Sequence, residues 1–127
     1  MFKRIDHVEI IPSDVEQTID FYVNILGFKV KSRHEMDRPP MKEIVYLELG
    51  DTVIELIGAD NPSPKSEEPW QVQYRGIALE VEDMDKAVAH LKSKGIEIPN
   101  PPMDLGNSVR GEIRDPDGLI IELREWK

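Results

Sequence analysis

The sequence contains no cysteine among its 127 residues. This absence excludes a disulfide framework, a thiolate nucleophile and a zinc site built on thiolates. The chain also lacks any stretch near the roughly 18 consecutive apolar residues that a membrane-spanning helix needs, and its first residues contain no apolar signal-peptide core. We therefore expect a soluble, cytoplasmic protein that has no membrane partner.

Basic residues are scarce relative to acidic ones. The chain has 16 Lys and Arg against 25 Asp and Glu, which gives a formal net charge of −9. Because nucleic-acid phosphates are bound by clustered basic side chains, we expect no nucleic-acid partner. The acidity is compatible with a cationic ligand, although a surface that keeps the protein in solution is the simpler explanation.

The chain repeats one pattern twice. The segment starting at His7 aligns with the segment starting at Gly76, and in each a strand is followed by an acidic helix start and a helix that ends in glycine. Each half then closes with a similar strand, around Glu55 in the first half and Glu122 in the second. A duplicated module places one residue of each copy at matching positions. His7 therefore matches Gly76, and Glu55 matches Glu122.

This pattern predicts an α+β fold of two tandem β-α-β-β-β modules. Module 1 covers residues 1–58, a Pro- and Ser-rich linker covers 59–74, and module 2 covers 75–127. Because about sixty residues are marginal as an independent fold, we expect both modules to form one domain. Strands are predicted at residues 4–11, 28–35, 43–50, 52–58, 75–82, 96–98, 109–114 and 119–125.

Two shorter segments give local predictions. Ser13, followed three residues later by Glu16, forms a capping-box pattern and predicts the start of the first helix. Residues 98–108, which include Met103, are too rich in proline for a regular element. We expect this segment to be a loop that folds over a site as a lid.

Alternation along the predicted strands sorts the side chains onto two faces. One face is apolar and would be covered by helices, whereas the other is unusually polar and holds His7, Glu9, Tyr46, Glu48, Glu55, Glu80, Glu112, Arg114, Glu122 and Arg124. A two-layer protein can expose such a face to water. However, Glu55 and Glu122 have apolar neighbours on that face, and a buried carboxylate needs a partner or a metal ion. This favours a functional site on the polar face.

Two such modules, an early strand histidine, an IEL strand closing each module and a DPDG turn resemble the vicinal oxygen chelate superfamily. That superfamily includes glyoxalase I, methylmalonyl-CoA epimerase, extradiol dioxygenases and bleomycin-resistance proteins. The resemblance covers nearly the whole chain and is greatest to glyoxalase I-like proteins. It implies that the mixed sheets curl into a partly open barrel that encloses one metal site.

The resemblance also implies a set of metal ligands. Glyoxalase-like members take four ligands from matched positions, which here are His7, Glu55, Gly76 and Glu122. Glycine cannot ligate a metal, so His7, Glu55 and Glu122 remain. One imidazole and two carboxylates suit divalent manganese, iron, cobalt, nickel or magnesium better than zinc. Glu122 is also the candidate catalytic residue, because a carboxylate beside the ion can remove a proton alpha to a carbonyl.

Further residues are candidates for contact with a substrate. Tyr46 and Glu48 share the predicted face of Glu55, His34 ends the second strand, and Met103 lies in the lid segment. Exposure to solvent is the alternative interpretation of the first three, and packing is the alternative for Met103. The arginines at 110, 114 and 124 are expected to pair with Glu112 and Glu122, with contact to an anionic substrate as the alternative.

Two functions of different classes stay open at this point. The first is a metal-dependent lyase or isomerase of the glyoxalase type, acting through an enediolate on a small substrate with vicinal oxygens. The second is a metal-free binding protein of the bleomycin-resistance type, which Gly76 and the acidic charge favour. A ring-cleaving dioxygenase ranks third, because its iron site usually needs the imidazole that Gly76 lacks. Family members with two short modules often dimerise, so we expect a homodimer, with the site either within one chain or across the dimer.

Overall fold

The computed structural model describes residues 1–127, and these divide into two compact units, Met1–Lys65 and Ser66–Lys127. The division falls within the predicted linker of residues 59–74. Each unit contains one four-stranded mixed sheet and one main helix, and neither sheet closes on itself. The predicted α+β class and the two mixed sheets are confirmed.

In the first unit, strands β1 (Val8–Ile10), β2 (Lys29–Arg38), β3 (Met41–Leu49) and β4 (Thr52–Ala59) form a sheet in the order β1-β4-β3-β2. β1 pairs with β4 in parallel, and the remaining pairs are antiparallel. Helix α1 (Val15–Asp20) continues into a π-helical turn over Phe21–Ile25. The chain can leave this turn because Gly27 adopts a left-handed φ of 89°.

The start of α1 differs from the prediction. Asp14 is the N-cap, and its Oδ1 accepts a hydrogen bond from the backbone N–H of Gln17 at 3.0 Å. The predicted capping box of Ser13 and Glu16 is therefore wrong by one residue. An aspartate satisfies the free N–H groups of the first turn as well as a serine does, so the sequence pattern alone did not separate the two.

The core of the first unit lies between the apolar face of its sheet and the helical segment. Val45, Leu47 and Leu56 are fully buried, as is Tyr22 from the π-helical turn. The rings of Phe21 and Phe28 both pack edge to face against the ring of Tyr22. Full burial of each large apolar side chain stabilises the fold by about 1.5–3 kcal/mol. The helix therefore covers the apolar face.

The second unit repeats this topology. Strands β5 (Gly76–Glu80), β6 (Met103–Asp104), β7 (Ser108–Arg114) and β8 (Ile120–Trp126) form a sheet in the order β5-β8-β7-β6. Helix α2 (Met84–Ser93) begins at Asp83, whose side chain accepts from the N–H of Lys86 at 3.1 Å. The core residues are Met84, Leu91, Ile113, Ile121 and Leu123.

The register of the parallel strand pairs matches the internal repeat. Glu9 lies opposite Glu55 in the first unit, and Ala78 lies opposite Glu122 in the second. His7 precedes Glu9 by two residues, as Gly76 precedes Ala78. His7 and Gly76 therefore occupy the same place in their sheets, as the repeat predicts.

The edge of the second sheet differs from the prediction. Residues 96–98 form no strand, and the edge strand is instead β6, where Met103 lies opposite Arg110. Pro99, Pro101 and Pro102 have no backbone N–H to donate to a neighbouring strand, so pairing can resume only after them. The predicted lid is thus wrong at Met103 and Asp104, which belong to the sheet. Neither helix of the structure has the length and apolar character needed to cross a membrane.

Candidate functional site

His7 and Glu55 meet on the polar face of the first sheet. His7 directly precedes β1, and Glu55 lies on the neighbouring strand β4. The Nε2 atom of His7 lies 3.0 Å from Oε2 of Glu55, whose carboxylate is almost completely buried. The structure therefore brings two of the predicted metal ligands together within one unit.

Asp6 orients the imidazole of His7 from the other side. Nδ1 of His7 donates a hydrogen bond to Oδ2 of Asp6 at 2.8 Å. This hydrogen bond raises the pKa of His7, and the charges of Glu55 and Asp6 add to the effect against a smaller opposing effect of burial. With one proton on Nδ1, Nε2 and the Glu55 carboxylate are two acceptors that need a cation between them. That cation is either a second proton or a metal ion.

Glu9 is a third potential ligand. It was predicted on the polar face but not among the metal ligands. Ligand atoms of His7, Glu9 and Glu55 all lie within 4.8 Å of one another. The spacing of two residues between His7 and Glu9, which puts both on one face of a strand, was the signal available in the sequence. One imidazole and two carboxylates fit a divalent ion that keeps water at its other positions.

Tyr46 connects this group to the rest of the face. It lies opposite Glu55 on β3, and its hydroxyl hydrogen bonds with the Glu55 carboxylate. Burial raises the pKa of Tyr46, and the hydrogen bond with Glu55 raises it further. The Tyr46 ring packs edge-on against His7, with centroids 6.1 Å apart, and against His34 at 6.2 Å. Of the two predicted substrate contacts, Tyr46 therefore touches the candidate metal ligands, and His34 contacts Tyr46.

A cavity of about 440 Å³ opens beside His7 in the first unit. Tyr46 and Glu48, two of the predicted substrate contacts, line it. The other lining residues are Arg4, Asp6, Lys31, Ser32, Gly50, Asp51 and Val53. The volume suits a small molecule, and the mixture of charged groups favours a polar one.

In the second unit, Glu122 is held by two arginines. Nε of Arg110 donates to Oε1 at 2.7 Å, and Nη2 of Arg124 donates to Oε2 at 3.0 Å. Both oxygens of the candidate base thus accept a hydrogen bond from an arginine, and the positive charges of the two arginines oppose the binding of a metal ion or a proton there. Its predicted roles as ligand and base stay predictions. Met103, the remaining predicted contact, is mostly exposed on β6.

Gly76 occupies the position where the matched histidine would stand. A Cβ atom added there would lie 2.5 Å from the carbonyl oxygen of Ile120 and 2.9 Å from its Cβ. Real Cβ atoms do not approach backbone oxygens this closely, so β8 occupies the space that a side chain at residue 76 requires. The second unit therefore supplies no imidazole at this position, and the close approach of β8 leaves no room for one.

The pKa of Glu112 reflects its ionic contacts with the arginines of the second unit. Burial raises the pKa of Glu112, but the hydrogen bond from Arg110 and the charges of Arg114, Arg110 and Arg75 outweigh it, so the pKa lies below its usual value. A lowered folded-state pKa stabilises the protein above the unfolded-state pKa of 4.5, and this stabilisation is lost as the pH falls through the folded-state value.

We expect Glu112→Gln to lower the free energy of unfolding by about 1–2 kcal/mol at pH 7. The difference from the unmodified protein should shrink toward pH 3. Denaturant unfolding at both pH values measures this. Glu67→Gln, at an exposed carboxylate of the same unit, is the matched control. An equal loss at both pH values would show that the charge of Glu112 contributes nothing.

Comparison with known proteins agrees with this fold. A model of the glyoxalase/bleomycin resistance protein/dioxygenase superfamily matches residues 4–123. The uncharacterized protein YwkD of Bacillus subtilis is 36% identical, over 98% of this chain and 98% of its own length. The lactoylglutathione lyase of Neisseria meningitidis (serogroup A) is 28% identical, over 98% of this chain and 91% of its own.

A solved structure supports the same assignment. The crystal structure of a glyoxalase family protein from Enterococcus faecalis superimposes with a TM-score of 0.84 at 33% identity, covering 98% of both chains. The match of the superfamily model extends over both sheets and includes His7, Glu55 and Glu122. The chain therefore belongs to the glyoxalase/bleomycin resistance protein/dioxygenase superfamily.

Proposed function

We propose that this protein is a metal-dependent lyase or isomerase of the glyoxalase type, acting through an enediolate on a small substrate with vicinal oxygens. The observation that supports this most is the His7–Glu55 pair, in which Asp6 binds the far nitrogen of the imidazole. Metal-ligating histidines usually donate their other N–H to a carboxylate or carbonyl in this way. The polar cavity beside the pair offers space for the substrate.

Each of these residues of the first unit would have its own role in binding the ion. His7 and Glu55 would hold the ion with Glu9 as the third ligand, and Asp6 fixes the imidazole in the tautomer that leaves Nε2 unprotonated. A divalent ion there, whether nickel, cobalt, manganese, iron or zinc, would supply positive charge to an oxyanion of the substrate. Tyr46 holds Glu55 in place through its hydroxyl. Glu122 of the second unit is the proposed base that removes the proton from carbon.

Metal analysis of the purified, untagged protein tests this proposal. We expect near-stoichiometric divalent metal by elemental mass spectrometry, and a rise in melting temperature when the stripped protein is titrated with nickel, cobalt, manganese or zinc. Screening 2-oxoaldehyde adducts and acyl-CoA epimers with the loaded protein should then reveal turnover. No bound metal and no thermal shift with any ion would refute the proposal.

A metal-free binding function is the second candidate. Two features of the second unit favour it: Gly76 supplies no ligand, and both oxygens of Glu122 are occupied by arginines. If this second proposal is right, the metal-stripped protein binds a small molecule with the same affinity as the untreated protein and catalyses no reaction. A homodimer and a cytoplasmic location remain predictions under both proposed functions.

A further inference from the structure

Four guanidinium groups converge on two carboxylates on the polar face of the second sheet. Glu112 has three of them around it: Nη2 of Arg110 lies 2.9 Å from Oε1, Nη2 of Arg114 lies 3.1 Å from Oε2, and Nη2 of Arg75 lies 3.9 Å from Oε1. Glu122 is held by Arg110 and Arg124. The local charge is therefore positive, although the whole chain has a net charge of −9.

The donors on this face exceed the acceptors. Each guanidinium offers five N–H groups, and the two carboxylates cannot accept from all of them. The surplus is visible at Arg124, whose Nε is buried without a hydrogen-bond partner. It is larger at Arg75 and Arg114, whose side chains are 47% and 48% exposed and approach Glu112 through one terminal nitrogen each. The exposed N–H groups of Arg75 and Arg114 that do not reach Glu112 are open to solvent, so they are accessible to a further acceptor.

Two contacts position the exposed arginines near Gly76. Gly76 pairs with Ile120, and Ile120 pairs with Arg114, so the three form one row across the sheet. Gly76 has no side chain, and Ile120 packs closely against its backbone. Arg75 lies beside Gly76, and its guanidinium packs over the ring of Trp70 at 5.1 Å.

We infer that Arg75 and Arg114 bind an oxyanion, the carboxylate or phosphate group of a small-molecule ligand, beside Gly76. The planar guanidinium matches both groups through paired N–H donors. Glu112 is the positioning residue, because it holds both arginines without occupying all their donors. All these residues lie in the second unit, and none is a proposed metal ligand of the first, so the inference stands independently of the proposed function.

An NMR titration of the metal-stripped, ¹⁵N-labelled protein tests this inference. Phosphate, malonate and acetate are the probes, with ionic strength held constant by chloride. We expect saturable shifts of the backbone amides of Gly76, Glu112 and Arg114 with at least one dianion. Arg75→Gln/Arg114→Gln should weaken that binding by about tenfold or more, since each arginine provides a charge-assisted hydrogen bond. Tighter binding of phosphate than of malonate assigns a phosphate ligand, and the reverse assigns a carboxylate.

Two further variants keep the result interpretable. Arg38→Gln removes an exposed arginine of the first unit and should leave the titration unchanged. Arg75→Gln alone replaces a side chain that precedes β5, and it serves if the double variant does not fold. Equal affinity in the unmodified protein and in Arg75→Gln/Arg114→Gln, or the absence of any saturable shift, would overturn the inference. Since no metal is present, neither result depends on whether the first unit binds one.

Discussion

His7→Ala is expected to lower the affinity for divalent metal by at least about 100-fold, the upper end of what loss of an outer hydrogen-bond partner costs a metal site. The reason is geometric: Nε2 of His7 lies 3.0 Å from Glu55, and no other nitrogen belongs to the group of potential ligands. The two remaining carboxylates would hold the ion weakly and compete with solvent for it. Titration of the stripped variant, followed by elemental analysis after dialysis, measures the loss.

His90→Ala is the matched control for His7→Ala. His90 is an exposed histidine on α2 of the second unit, so its removal deletes the same chemical group far from the ligands in sequence. It should leave the metal affinity unchanged. Wild-type affinity in His7→Ala would remove the first unit from the metal site and leave the metal-free binding function as the better proposal.

Glu122→Gln separates metal binding from proton transfer. Loss of a general base typically costs about 10²–10⁴-fold in rate, so we expect turnover to fall by at least that much with the fold intact. Glutamine keeps the size of the side chain and one of its two acceptor oxygens, so it retains the hydrogen bond from either Arg110 or Arg124. A metal affinity reduced tenfold or more would add Glu122 to the ligands, whereas an unchanged rate would refute its assignment as the base.

The sequence was sufficient to predict the features that depend on local periodicity. Alternation along the strands predicted the polar face of the first unit, including His7, Glu55 and Tyr46, because successive side chains of a strand point to opposite faces. The repeat predicted that Gly76 would stand where His7 stands, and the registers of β1 with β4 and of β5 with β8 agree. Both depend on spacing that is visible in a single sequence.

Features set by long side chains and by strand edges could not be predicted in the same way. The sequence predicted that Arg110, Arg114 and Arg124 pair with Glu112 and Glu122, and they do, but it did not show that Arg110 contacts both carboxylates. Which arginine pairs with which glutamate depends on rotamers, and the sequence contains no record of them. The edge strand β6 also escaped prediction, since a strand of two residues is too short to show an alternating pattern in the sequence.

The two units surround their matched carboxylates, Glu55 and Glu122, with different groups. Tyr46 lies opposite Glu55 in the first sheet, and Glu112 occupies the corresponding place opposite Glu122 in the second. The first face combines an imidazole with carboxylates and is suited to a cation, whereas the second surrounds its carboxylates with guanidinium groups and is suited to an anion. Duplication of one module has thus produced two faces with complementary chemistry.

Gly76→Ala is expected to lower the free energy of unfolding by about 1–3 kcal/mol, the usual cost of forcing extra atoms into a packed site. The added Cβ would lie 2.5 Å from the carbonyl oxygen of Ile120, so β8 must shift and strain its pairing with β5. Gly76→His should lose a similar amount, because the same Cβ causes most of the cost. Denaturant unfolding of both variants in the stripped state measures it.

Comparing the alanine and histidine variants isolates the imidazole from the steric effect of the Cβ atom. If Gly76→Ala were as stable as the unmodified protein, β8 could shift to admit a side chain without loss of stability. The glycine would then matter only because it supplies no metal ligand. An equal loss of stability in both variants would instead mean that the packing of β5 against β8 requires a glycine at residue 76. Returning the imidazole would then require a shift of the β8 backbone, because the nearest atom is the carbonyl oxygen of Ile120, which no substitution there removes.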